Sequence, residues 1–109
     1  MVILPIKRKW FDMIMSGEKL EEYRDIKSYW KKRLNAFELL LDMDKRIEYG
    51  DLGYMTHVIR ECKIRAGYNK TSPTATISYW LDVGVGKPEW GAEPNVDYYR
   101  LHIVNKELE

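Results

Sequence analysis

Residues 17–24 of the chain read GEKLEEYR, and within them Gly17, Lys19, Glu22 and Arg24 follow the spacing G-x-K-x-x-E-x-R. Each of these residue types brings a chemistry. A glycine permits a positive φ or a close backbone approach. A lysine is a compact charge suited to a phosphate, a carboxylate or a base carbonyl. An arginine offers a planar fork for phosphate or a base edge. Glu22 can orient Arg24, because side chains two apart on a strand share a face. It can also accept from an exocyclic amine or act as a general base. A Lys/Glu/Arg set stays charged in a cleft because its members partner one another. The same residues equally suit an ion-pair network that closes the fold and binds nothing. Glu18 and Glu21 read as solvated charges.

Further along, Tyr68 in RAGY and Trp90 in EWGAEP fall on loops. A loop aromatic beside a basic cleft can stack a base, whereas Trp90 could equally plug one end of the fold. Arg65 and Lys70 flank Tyr68 and can reach phosphate. Trp10 and Trp30 read as core or helix-packing residues. Glu93 sits between Gly91 and Pro94, which mark a tight turn. His57, Cys62 and His102 form no H-x-E, HExxH or CxxC spacing, so no metal site is expected. Cys62 reads as a buried strand residue, too far along its strand from His57 to share a nucleophile–base pair. GVGKPEW is not a P-loop, because Lys87 lacks the following Ser/Thr. No cofactor is expected.

The elements that must position these residues follow from pattern. Val2 to Ile6 is a β-branched run that predicts a strand, with Pro5 pointing to a sheet edge or a bulge. RKWFDMIMSG predicts a short helix with Gly17 near its C-cap. Arg8 and Lys9 then lie in the first turn, unfavourably for the helix dipole. From Lys19 to Arg24 the residues alternate, which suits a strand, although the Glu and Lys content also permits a helix. Ser28 or Asp25 is placed to cap a second helix through YWKKRL. FELLL (37–41) and HVIRECKIR (57–65) read as strands, and 42–56 are turn-rich. TATISYWLDV (74–83) alternates most clearly, with Ala75, Ile77, Tyr79, Leu81 and Val83 on one face. YYRLHIV (98–104) is a final strand. Strands dominate, giving an α+β, mainly β class.

The chain has 109 residues, 45% of them hydrophobic and 32% charged, which suits one soluble globular domain spanning 1–109. No stretch is long and apolar enough to span a membrane, and none reads as a signal peptide. With Cys62 as the single cysteine, no internal disulfide can form, and a reducing, cytoplasmic location is expected. The net charge of +1 is uneven: residues 1–35 hold nine Lys/Arg against five acids, and the rest nine against twelve. The basic first third can meet phosphates, while near-neutrality opposes tight, sequence-independent duplex binding.

The G-x-K-x-x-E-x-R spacing at Gly17, Lys19, Glu22 and Arg24 resembles the signature of the ASCH (activating-signal-cointegrator homology) domain family. ILPIKRKWFDMIMSGEK resembles that family's first strand and helix. RAGYNKTSP and PEWGAEP resemble segments of small bacterial and phage members, so the likeness covers roughly residues 1–30 and 60–105. It implies a PUA-like fold: a small closed β-barrel of about five or six strands with two or three flanking helices. It also implies a cleft holding the signature residues, and RNA or a nucleotide-like ligand. The ligand-binding set is then Gly17, Lys19, Glu22, Arg24, Arg65, Tyr68 and Trp90. Some relatives hydrolyse N4-acetylcytidine with a threonine three residues after the lysine. Glu22 stands there in this chain, and a carboxylate does not form the same acyl-enzyme. Were the chain an enzyme, a modified-nucleoside hydrolase or a ribonuclease, Lys19 and Glu22 would be the pair to activate water.

Overall fold

A computed structural model describes residues 1–36 and 58–109. The strand expected at 37–41, the turn-rich segment 42–56 and His57 lie outside them. The order of elements is β1 (Ile3–Ile6), α1 (Arg8–Ser16), β2 (Glu21–Arg24), α2 (Ser28–Arg33), β3 (Arg60–Ala66), β4 (Thr74–Val85) and β5 (Asp97–Leu108). A short 3-10 turn, Pro88–Trp90, lies between β4 and β5. The protein is a mainly β, α+β fold.

The strands form one five-stranded sheet in the order β1-β3-β4-β5-β2. β1 runs parallel to β3, and every other pairing is antiparallel. The alternation in β4 works as a two-faced pattern should: Ala75, Ile77, Tyr79 and Leu81 are all buried. They meet Cys62 and Ile64 of β3, Tyr99 and Leu101 of β5, Leu4 and Ile6 of β1, and Phe11 and Ile14 of α1 in one core. The β4–β5 register shifts between Ser78 and Tyr79, and this bulge bends the long ribbon.

β1 and β2 are the two edges. In a flat five-stranded sheet they would stand about 19 Å apart, four strand spacings. Yet Arg24 of β2 donates from Nη2 to the carbonyl of Pro5 in β1 at 3.3 Å. A single side chain bridges the two edges, so the sheet must be strongly curled. No backbone ladder joins β1 to β2 among the described residues, and the sheet is not closed. The closure expected of a barrel is replaced by a gap that side chains span.

α1 ends as its sequence requires. Gly17 adopts φ 86°, and its N–H reaches Ile14 O. The Lys19 N–H then bonds Met13 O at 2.9 Å, turning the chain into β2. α2 begins differently from expectation. Neither Ser28 nor Asp25 caps it; Lys27 is the N-cap residue, with no side-chain cap bond, and Asp25 pairs with Lys27 at 3.2 Å. Lys31, Lys32 and Arg33 fill its last turn, where cations favour the helix dipole.

Candidate functional site: a cleft at the open seam

The gap between β1 and β2 is a cleft of about 630 Å³. β1 supplies Ile3, Pro5 and Ile6; β2 supplies Glu22, Tyr23 and Arg24. α1 and α2 bring Trp10, Tyr29, Trp30 and Arg33, and loops bring Tyr68, Trp90 and Glu93.

Glu22 and Arg24 share a face of β2, as strand alternation requires. Glu22 is 5% exposed. Its Oε1 accepts the Tyr23 N–H at 3.0 Å. Arg24 Nη1 stands 3.4 Å from Oε2, and Lys19 Nζ stands 3.5 Å from Oε1. Both cations direct their shorter bonds elsewhere: Arg24 Nη1 to Tyr23 O at 2.7 Å, and Lys19 Nζ to Trp90 O at 2.8 Å. The Arg24 guanidinium lies 5.0 Å over the Trp30 ring, a cation–π arrangement that orients both groups at the cleft wall.

Lys19 is 1% exposed and does not line the cleft. Strict alternation would put it on the face of Glu21 and Tyr23. It reaches Glu22 instead because β2 starts only at Glu21, leaving Lys19 in the preceding turn. Its ammonium also lies 5.1 Å from the Trp10 ring and 4.9 Å from the Tyr23 ring. Burial lowers its pKa below the ordinary lysine range, although the neighbouring Glu22 charge opposes this. Lys19 therefore ties Glu22 to the backbone of the 88–92 turn.

That turn wraps the β2 edge. On one side Lys19 holds the Trp90 carbonyl; on the other the Lys87 N–H donates to the Tyr23 hydroxyl at 3.0 Å. Gly91 adopts φ 100° where its Cα packs against the Trp10 indole, and an added Cβ would lie 3.1 Å from that ring. Trp90 is thus fixed as a wall of the cleft, with Lys87 Nζ 4.5 Å from its ring. Glu93 donates its backbone N–H to the Tyr98 hydroxyl at 3.0 Å, a structural contact within the loop.

The structure thus gathers Glu22, Arg24, Tyr68 and Trp90 at one cleft. Tyr68 is 88% exposed at its mouth. Gly17 lies apart, at the end of α1 and beside Lys106 Nζ. Arg65 lies apart too, with Nε donating to Thr74 Oγ1 at 3.3 Å. Trp10, Tyr29, Trp30 and Tyr98 line the cleft, and sequence reasoning assigned none of them to it. For Trp10, Tyr29 and Trp30 the usable signal was the adjoining cations Lys9, Lys31, Lys32 and Arg33.

Cys62 is 1% exposed, and burial pushes its thiol up to about 12, disfavouring the thiolate. Among the described residues no group of three or more His, Cys, Asp and Glu side chains is placed to hold a metal. No helix among them is long and apolar enough to cross a membrane.

Compared with protein-family models, with curated proteins and with solved structures, the chain matches none.

Proposed function

We propose that the protein is an ASCH-type, PUA-like domain that binds RNA or a nucleotide-like ligand in the cleft between β1 and β2. The supporting observation is the lining: Glu22 and Arg24 are surrounded by Trp10, Tyr29, Trp30, Tyr68, Trp90 and Tyr98. Such a lining offers polar groups to a base edge and π-faces for stacking. Lys7 and Arg33 line the same cleft and are available to phosphate.

The cleft's β1 wall favours this class over an extended peptide. A peptide would need the free edge of β1 as a ladder. Pro5 has no N–H to give, and the edge carbonyls of Ile3 and Pro5 already accept from Arg33 and Arg24 at 3.3 Å each.

Hydrolysis of a modified nucleoside, or RNA cleavage, is the second reading. Its supporting observation is that Glu22 lines the cleft with Lys19 behind it at 3.5 Å, so that the carboxylate could act as a general base toward a bound water. One set of tubes separates the two. Wild type, Arg24→Ala and Trp30→Ala are titrated with a short single-stranded RNA at two salt concentrations, with N4-acetylcytidine in parallel, and products are analysed. A binding module gives salt-dependent affinity, weakened about tenfold by either substitution, with RNA and nucleoside intact. Turnover would make the protein an enzyme. No binding and no turnover by folded wild type would refute both readings.

A further inference from the structure

We infer that the base held in this cleft is guanine. The inference rests on the nucleotide-binding reading and adds the identity of the base. It starts from the acceptor capacity of Glu22. A carboxylate has about four lone-pair sites. Among the described residues one is filled by a close hydrogen bond, from the Tyr23 N–H at 3.0 Å. Lys19 and Arg24 balance its charge from 3.5 and 3.4 Å, at the outer limit of hydrogen bonding. With one close hydrogen bond and two longer ion pairs, the Glu22 carboxylate keeps lone-pair capacity for N–H groups of a ligand in the cleft that it lines.

Arg24 completes the pattern. Its Nη1 and Nη2 each donate to a carbonyl, of Tyr23 and Pro5, and a guanidinium has five N–H groups in all. Glu22 and Arg24 both line the cleft; in the proposed complex the two carboxylate oxygens accept from the base and an Arg24 N–H donates to it. The complementary edge carries two neighbouring N–H donors and then a carbonyl. Guanine has that edge in its 2-amino group, N1–H and O6. Cytosine and adenine each offer one amino group next to a ring-nitrogen acceptor. Uracil offers one N–H flanked by two carbonyls and would set a carbonyl against the carboxylate. The tryptophan and tyrosine walls stack any base, so the choice among bases falls to Glu22 and Arg24.

The test uses wild-type protein and the trinucleotides UGU, UAU, UCU, UUU and UIU, where I is inosine, which lacks the 2-amino group. Binding is read by NMR titration. UGU is expected to bind about tenfold tighter than the other four, inosine included. Glu22→Gln, checked for folding by its amide spectrum, is expected to lose that preference while still binding. Should it fail to fold, the wild-type series decides alone. Equal affinities across the series, or a tighter UAU, UCU, UUU or UIU, would overturn the guanine assignment and leave nucleotide binding standing. Absence of binding to all five would overturn both.

Discussion

β2 carries two charge clusters on its two faces, and they are built differently. On the cleft face, Glu22 meets Lys19 and Arg24 at 3.5 and 3.4 Å, with these side chains 0–13% exposed. On the opposite face, Glu21 and Tyr23 adjoin a network centred on Asp82. Arg100 grips Asp82 through Nε at 2.8 Å and Nη2 at 2.7 Å, and His102 Nε2 meets the same carboxylate at 2.8 Å. Trp80 stacks on His102 at 3.7 Å, and the Tyr23 hydroxyl donates to Glu21 at 3.0 Å. The outer cluster is wetter but tighter, its carboxylate taking three short contacts. The inner cluster is drier and loose, with its carboxylate facing a cleft. Charge density alone does not distinguish the two clusters; the donor distances around each carboxylate do.

The two clusters should respond differently to truncation. The largest loss is expected from Lys19→Ala, which leaves Glu22 buried beside one cation and frees the Trp90 carbonyl. Breaking such a buried pair costs about 3–5 kcal/mol, measured as a fall in the urea midpoint. Asp82→Asn should cost less, about 1–3 kcal/mol, because its partners can still reach water. The same carboxylate sets a pH dependence. Burial of Asp82 disfavours its charge, but the bonds from His102 and Arg100 outweigh burial and hold its carboxyl at about 2, below the ordinary 3.8. A depressed folded pKa gives stability that is fully present above the unfolded pKa and lost as pH falls through the folded one. Wild type should therefore lose stability between about pH 5 and pH 2. Asp82→Asn should flatten that part of the curve and leave RNA affinity unchanged.

The smallest effect on stability is expected at Tyr68. It is 88% exposed, so Tyr68→Ala should move stability by no more than about 0.5 kcal/mol. If it stacks a base at the mouth, affinity should still fall by about 1–3 kcal/mol. An unchanged Kd would remove Tyr68 from the site and sharpen the role of the three tryptophans.

Local features of this architecture were legible in the sequence, and long-range ones were not. Gly17 announced the end of α1, because a left-handed cap is a local demand of the backbone. The buried face of β4 followed from its alternation. The shared face of Glu22 and Arg24 followed from their spacing once β2 was a strand. The partner of Lys19 did not follow, since the Trp90 carbonyl is 71 residues away. Trp10 and Trp30 do pack against the core as their sequence suggested, but their second role as cleft walls did not follow, because it depends on the sheet curling until β1 faces β2. That curl arises from strand order and the bulge between Ser78 and Tyr79, neither of which has a short-range signature. The Asp82–Arg100–His102 network likewise depends on the β4–β5 register.

The four tryptophans provide the most direct measurement. Trp10, Trp30 and Trp90 line the cleft, and Trp80 stacks on His102 on the outer face. In a two-dimensional amide spectrum each indole N–H gives its own resonance. Titrating a short guanine-containing single-stranded RNA should shift the indole signals of Trp10, Trp30 and Trp90 together with the amides of Glu22 and Arg24, and leave Trp80 in place. Shifts centred on Trp80 and His102, or none at all, would contradict a nucleotide site at the β1–β2 seam.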